Sequence, residues 1–149
     1  MAPIMEIRLR VEETPSGYGE YLLATCSGDV ANSRIGEDLR TKDREHFIVL
    51  MLNTRNEVCG VEVVSIGTLN SSVVHPREVF KGALMHNASS IIAMHNHPSG
   101  DVTPSTADVC ITKKLLDAGK MIGIPLRDHI IVGEGYFSAA DNNFWGYAS

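Results

Sequence analysis

The stretch His95-Asn96-His97-Pro98-Ser99-Gly100-Asp101-Val102-Thr103-Pro104-Ser105-Thr106-Ala107-Asp108 holds three good metal ligands at a spacing that closes one small site. His95 and His97 follow Ser89-Ser90-Ile91-Ile92-Ala93-Met94, a run that reads as a short buried strand. Strand side chains repeat every second residue, so both imidazoles point to one side. Pro98, Ser99, Gly100, Asp101 and Pro104 make a loop, and the chain restarts at Ser105 as a helix whose third interior position is Asp108. Two imidazoles and one carboxylate leave a fourth coordination position open, the feature that separates catalytic zinc sites from closed structural ones.

A plainer reading competes at each position. Ser105-Thr106-Ala107-Asp108 is also a helix-capping box, with Asp in place of the usual Glu, and one pair of residues can serve both purposes. A histidine pair at a strand end is more often structural than metal-binding, and the letters His-Asn-His carry no weight by themselves. The metal reading rests on the fixed order of two His, Pro, a glycine loop, Ser and Asp, with a strand before and a helix after.

The elements that must position these residues follow from periodicity. Residues 4–12 alternate, with Ile7, Leu9 and Val11 against Glu6, Arg8, Arg10 and Glu12, and suit an edge strand or a partner-binding arm before a break at Thr14-Pro15-Ser16-Gly17. Polar, helix-compatible sequence covers about 28–41. Phe47–Leu52 is a buried strand, Asn53-Thr54-Arg55-Asn56 a turn, and Val58–Ile66 the return strand. Pro76 opens a helix with Val79, Phe80, Ala83 and Leu84 as its apolar face. A second helix over 105–121 packs Val109, Ile111, Leu115, Leu116 and Met121 on the sheet, and Asp128–Val132 is a further strand. The expected class is α/β (α+β), a mixed sheet flanked by helices.

Composition bounds the rest. A chain of 149 residues with 44% hydrophobic content suits a single core. The net charge of −5 provides no overall basic excess to steer the chain onto phosphate backbones, so DNA is a possible partner that the charge does not support. Cys26, Cys59 and Cys110 are odd in number and far apart, which argues against a disulfide framework and a cysteine zinc knuckle. They are expected to be buried small apolar residues in a reducing compartment. There is no signal-peptide core and no run near the roughly eighteen residues of a membrane helix, so a soluble cytoplasmic protein with no membrane partner is expected. Nothing in the sequence specifies an oligomeric state.

His95-x-His97, Ser105 and Asp108 resemble the zinc signature of the JAMM (MPN-type) metalloproteases. His75-Pro76-Arg77-Glu78-Val79, His95-Asn96-His97-Pro98-Ser99-Gly100, Pro104-Ser105-x-x-Asp108 and Asp128-His129-Ile130-Ile131-Val132-Gly133 narrow the resemblance to the RadC family, over roughly Cys26 to Ala140. The resemblance implies an MPN/JAMM-like sheet with cytidine-deaminase-like layering, a Zn2+ ion held by His95, His97 and Asp108, and the label of a DNA-repair family. RadC proteins of full length carry an N-terminal helix-hairpin-helix-like region. The chain therefore resembles the short form found among mobile-element proteins, with 1–26 as arm or edge strand and 27–149 as the metal-binding domain.

A hydrolase of this kind needs a base for its water. Glu45 directly precedes the strand at the sheet edge, and the JAMM pattern also places its glutamate upstream of an early strand; the competing reading is a solvated charge in Lys42-Asp43-Arg44-Glu45. Glu78 is the rival, although the helix dipole already accounts for a carboxylate in a first turn. Glu45 is preferred. Ser105 can cap the helix, and the resemblance implies that its hydroxyl also supports an oxyanion. His129 is either a partner that orients a ligand or a satisfied core histidine. His75 and Arg77 line a substrate groove or anchor a helix start, and Phe144 and Trp145 cap a core edge or form an oligomer contact.

Two functions compete. The leading one is a zinc-dependent hydrolase of a peptide or isopeptide bond in a protein partner. The alternative is a DNA-repair-associated or mobile-element accessory protein whose metal is structural or acts on phosphodiesters. Phosphodiesterase sites commonly use two metals and extra carboxylates, whereas one cluster stands here. A cytidine deaminase would need His-x-Glu with Pro-Cys-x-x-Cys, and both are absent.

Overall fold

Phe47 to Leu52 are six consecutive apolar residues, every one of them buried, and a strand with no polar face has to be covered on both sides. The computed structural model, which describes residues 1–19, 22–70 and 72–144, shows how this is done. The elements run α1 (Ser27–Ala31), α2 (Arg34–Arg40), β1 (His46–Leu52), β2 (Val58–Ile66), α3 (Pro76–Met85), β3 (Ser90–Asn96), α4 (Thr106–Ile122), β4 (Leu126–Gly133) and β5 (Gly135–Ser138). The strands form one sheet in the order β2-β1-β3-β4-β5. β1 is antiparallel to β2 and β3, β3 is parallel to β4, and β4 is antiparallel to β5.

Alternate residues of β1 belong to two separate cores. Phe47, Val49 and Met51 pack with Val79, Phe80 and Ala83 of α3 and Ile111, Leu115 and Leu116 of α4. Ile48, Leu50 and Leu52 pack with Val30 and Ala31 of α1 and Ile35 and Leu39 of α2. The chain is thus a mixed sheet with one helix pair on each face, the architecture expected from the sequence. Among the described residues, no helix is long and apolar enough to cross a membrane.

Several expectations need correction. The helical stretch at 28–41 is two short helices, broken where the Ser33 side chain accepts the Gly36 amide as a cap; a Cβ on Gly36 would lie 1.9 Å from the Ala31 carbonyl oxygen. Residues 4–12 form no strand, and Ile7 and Leu9 are each 73% exposed. The only isolated pairing made by this end of the described chain is Leu23 with Glu57, so the alternation at 4–12 has no neighbouring strand to answer it. All three cysteines are free but exposed rather than buried, Cys59 on edge strand β2 and Cys110 off the buried stripe of α4. Met121 also falls off that stripe, and Leu84 sits at the rim of a shallow groove between α3 and α4 instead of in the core. Strand β5, split from β4 by a single residue, was not expected.

The turn after β3 is pinned to the end of β4. The His97 amide donates to Val132 O at 3.0 Å, the Gly100 amide to His97 O at 2.9 Å and the Glu134 amide to Gly100 O at 2.8 Å. Arg40 locks the same corner from the opposite face, donating to the carbonyls of Ala31, Gly133 and Gly135, each at 3.1 Å. Gly100 has φ +88°, and a Cβ on Gly133 would come within 2.6 Å of Gly100 O. Gly133→Ala should therefore force the histidine loop outward and lower unfolding stability by roughly 1–3 kcal/mol, measured by urea denaturation.

Candidate metal centre

His95 closes β3 on the α3–α4 face, between its register partners Phe47 of β1 and Ile131 of β4. Its ring stacks on Phe47 with centroids 5.9 Å apart and is fully buried. His97 lies one step past the strand, its side chain 11% exposed, and Asp108 enters from the first turn of α4 with its side chain 3% exposed. Asn96 points the other way, accepting the His46 amide at 2.7 Å and donating to Arg44 O at 2.9 Å, which ties down the chain on either side of Glu45.

Three side chains meet in front of this layer. His95 Nε2 is 3.1 Å from His97 Nε2 and 3.1 Å from Asp108 Oδ1, and His97 Nε2 is 3.0 Å from Asp108 Oδ2. Ligands about 2.0–2.1 Å from a tetrahedral ion stand roughly 3.3 Å from one another, and one donor atom from each of the three residues lies within 4.8 Å of the others. The donor chemistry fits as well. His97 Nδ1 donates to Asp101 O at 2.7 Å, which leaves its Nε2 lone pair facing inward, and His95 Nδ1 is held 2.8 Å from His129 Nε2. Two imidazole nitrogens and a carboxylate oxygen thus form a group able to hold a metal ion.

Electrostatics keeps the carboxylate ionised and the innermost ring neutral. Burial pushes the Asp108 carboxyl up, but His95, the Ser105 amide and His97 outweigh it and hold the group well below the usual carboxylate range. Burial drives His129 down to about 3, with the neighbouring His95 acting in the same direction, so this ring is neutral. The two readings of Ser105-x-x-Asp108 coexist. Ser105 Oγ accepts the Asp108 amide at 3.1 Å while Asp108 Oδ2 accepts the Ser105 amide at 2.9 Å, a complete capping box whose carboxylate also faces the histidines.

The other sequence candidates separate. Extending the β1–β3 register by two pairs sets Glu45 opposite His97, on the face that carries Phe47 and His95. Its Oε2 accepts the Leu69 amide at 3.1 Å. Glu78 is on the surface of α3, with Oε2 3.0 Å from Lys81 Nζ, and that contact lowers its carboxyl. His75 caps α3 by accepting the Arg77 amide at 3.0 Å. Ser105 is exposed at the mouth of the site. His129 is a buried core histidine whose Nε2 lies 2.8 Å from His95 Nδ1. Phe144 packs edge-on against Phe137, and Trp145 lies outside the described residues. Sequence reasoning missed Thr112, which touches His129 at 2.5 Å; its signal was its place one helical turn after Asp108, on the same buried stripe.

A metal-binding role has a direct test. Protein supplied with a divalent ion should retain one ion per chain by elemental analysis, and His97→Ala should retain none while keeping its far-UV circular dichroism. A wild-type chain that stays metal-free would overturn the assignment.

A family model described as RadC-like JAB domain matches residues 25–144. The chain is 54% identical over 118 residues to a UPF0758 protein of Desulforamulus reducens, covering 79% of this chain and 52% of the relative. It is 53% identical over 145 residues to a UPF0758 protein of Methanosarcina barkeri, covering 97% and 62%, and 46% identical over 133 residues to one of Geobacillus thermodenitrificans, covering 89% and 58%. The chain thus spans roughly half to three-fifths of the length of these relatives. With the family match over most of its length and His95, His97 and Asp108 gathered at one corner, the chain belongs to the RadC family through its RadC-like JAB domain.

Proposed function

We propose that the domain is a zinc-dependent hydrolase of peptide or isopeptide amide bonds, acting on a protein or peptide substrate. The observation that carries this reading is the convergence of two imidazole nitrogens and the Asp108 carboxylate, each nitrogen 3.0–3.1 Å from one of its two oxygens, beside the partly exposed ring of His97. Zinc suits that donor set, and when bound it supplies a Lewis acid that polarises a carbonyl and brings the pKa of a water towards about 7. Membership of the RadC-like JAB family supports a hydrolase. The net charge of −5 favours a protein over a nucleic acid, whose non-specific binders rely on a positive groove.

The chain's own residues handle the proton. Glu45 has Oε2 occupied by the Leu69 amide, which orients the carboxylate and leaves Oε1 to take a proton from the attacking water and return it to the leaving nitrogen. Ser105 uses its oxygen as an acceptor for the Asp108 amide, so its hydroxyl proton is left to donate to the amide oxygen as negative charge develops there. Asp108 and the two histidines stay fixed throughout, because each is tied to backbone or to a buried side chain behind the site.

Peptide and isopeptide libraries incubated with the zinc-supplemented protein test this. Glu45→Gln should keep the metal and the fold and lose turnover by about 10²-fold or more, while Glu78→Gln should leave it unchanged. Zinc-dependent cleavage of DNA that disappears in Glu45→Gln, with no peptide turnover, would contradict the proposal.

A further inference from the structure

Behind the ligand triangle lies a closed path of hydrogen bonds that joins two of the three ligands. Thr112 Oγ1 is 2.8 Å from the Asp108 carbonyl, one turn back in α4, and 2.5 Å from His129 Nδ1. His129 Nε2 is 2.8 Å from His95 Nδ1. Thr112, His129 and His95 are all buried, at 4%, 2% and 0% exposure, so no water competes along the path.

A threonine hydroxyl has one proton to give. The Asp108 carbonyl is acceptor-only, so the Thr112 proton goes there, as in the usual back-bond of a helical threonine. Thr112 Oγ1 must then accept from His129, which places the His129 proton on Nδ1. His129 Nε2 is left as an acceptor and takes the Nδ1 proton of His95. The remaining nitrogen of His95, Nε2, keeps its lone pair, and it is the atom that faces His97 and Asp108.

We propose that Thr112 is a positioning residue of this centre: its single hydroxyl, through His129, fixes His95 in the tautomer that ligates through Nε2, and it links that ring to the backbone of the ligand Asp108. The proposal rests on the metal-binding reading above. If the hydroxyl pointed to His129 instead, every proton on the path would reverse, and His95 would present an N–H to the metal position.

Imidazole nitrogen NMR on metal-free protein at neutral pH, together with zinc titration, tests it in Thr112→Val and Thr112→Ser. In the wild type, His95 and His129 should both carry their proton on Nδ1. Thr112→Val, nearly isosteric, should lose the single-tautomer signature of His129 and bind zinc about 10- to 100-fold more weakly, and Thr112→Ser should restore both. A wild-type His95 protonated on Nε2, or a Thr112→Val protein with unchanged tautomers and unchanged affinity, would overturn the proposal. The tautomers are read without metal, so a wild type with the expected tautomers that failed to bind zinc would count against the hydrolase reading and not against the path.

Discussion

Two imidazoles and a carboxylate crowd into one corner, with His95 Nε2 3.1 Å from His97 Nε2 and from Asp108 Oδ1 and His97 Nε2 3.0 Å from Asp108 Oδ2, so the three groups share whatever proton or cation sits among them. Much of the surrounding structure keeps those three groups from turning away. His97 is held by the Asp101 carbonyl, His95 by His129 and the face of Phe47, and Asp108 by the Ser105 amide. In both histidines the tether occupies the outward-facing nitrogen and leaves Nε2 turned inward, while in Asp108 the tethered oxygen is itself the one that faces His97.

The fold makes those tethers cheap because it uses contacts that the elements need anyway. Asp108 satisfies an N-terminal amide donor of α4, and the same oxygen faces His97. His95 fills core space between sheet and helix as an aromatic residue would, stacked on Phe47. The parallel pair β3 and β4, joined through α4, brings a strand end and a helix start to one corner, the place where open α/β sheets gather ligands. Antiparallel β1 then carries Glu45 to the same corner from the other side, with Asn96 binding the chain on either side of it.

Much of this was legible in the sequence. The end of β1, the start of β2 and the start of α4 follow from a turn word and a capping word, which are local signals, and the meeting of His95, His97 and Asp108 follows from strand and helix periods acting on a short segment. The failures have a common cause, since each depends on a partner distant in the chain. The alternation at 4–12 is a strand pattern, but among the described residues no strand lies alongside to pair with it. Cys59 and Cys110 are apolar enough for a core yet fall on outward positions set by tertiary packing. Arg40 reads as one more helix charge and in fact binds three carbonyls in three elements. Thr112 reads as an unremarkable helix residue until β4 brings His129 against it.

X-ray absorption at the zinc edge of the metal-loaded protein tests the central claim most directly, because it reports the donor set without reference to activity. The account predicts a shell of nitrogen and oxygen neighbours at about 2.0–2.1 Å, with the multiple-scattering pattern of two imidazoles and no sulfur. A sulfur shell at about 2.3 Å, showing that exposed cysteines hold the ion, or an oxygen shell without imidazole scattering, would contradict it.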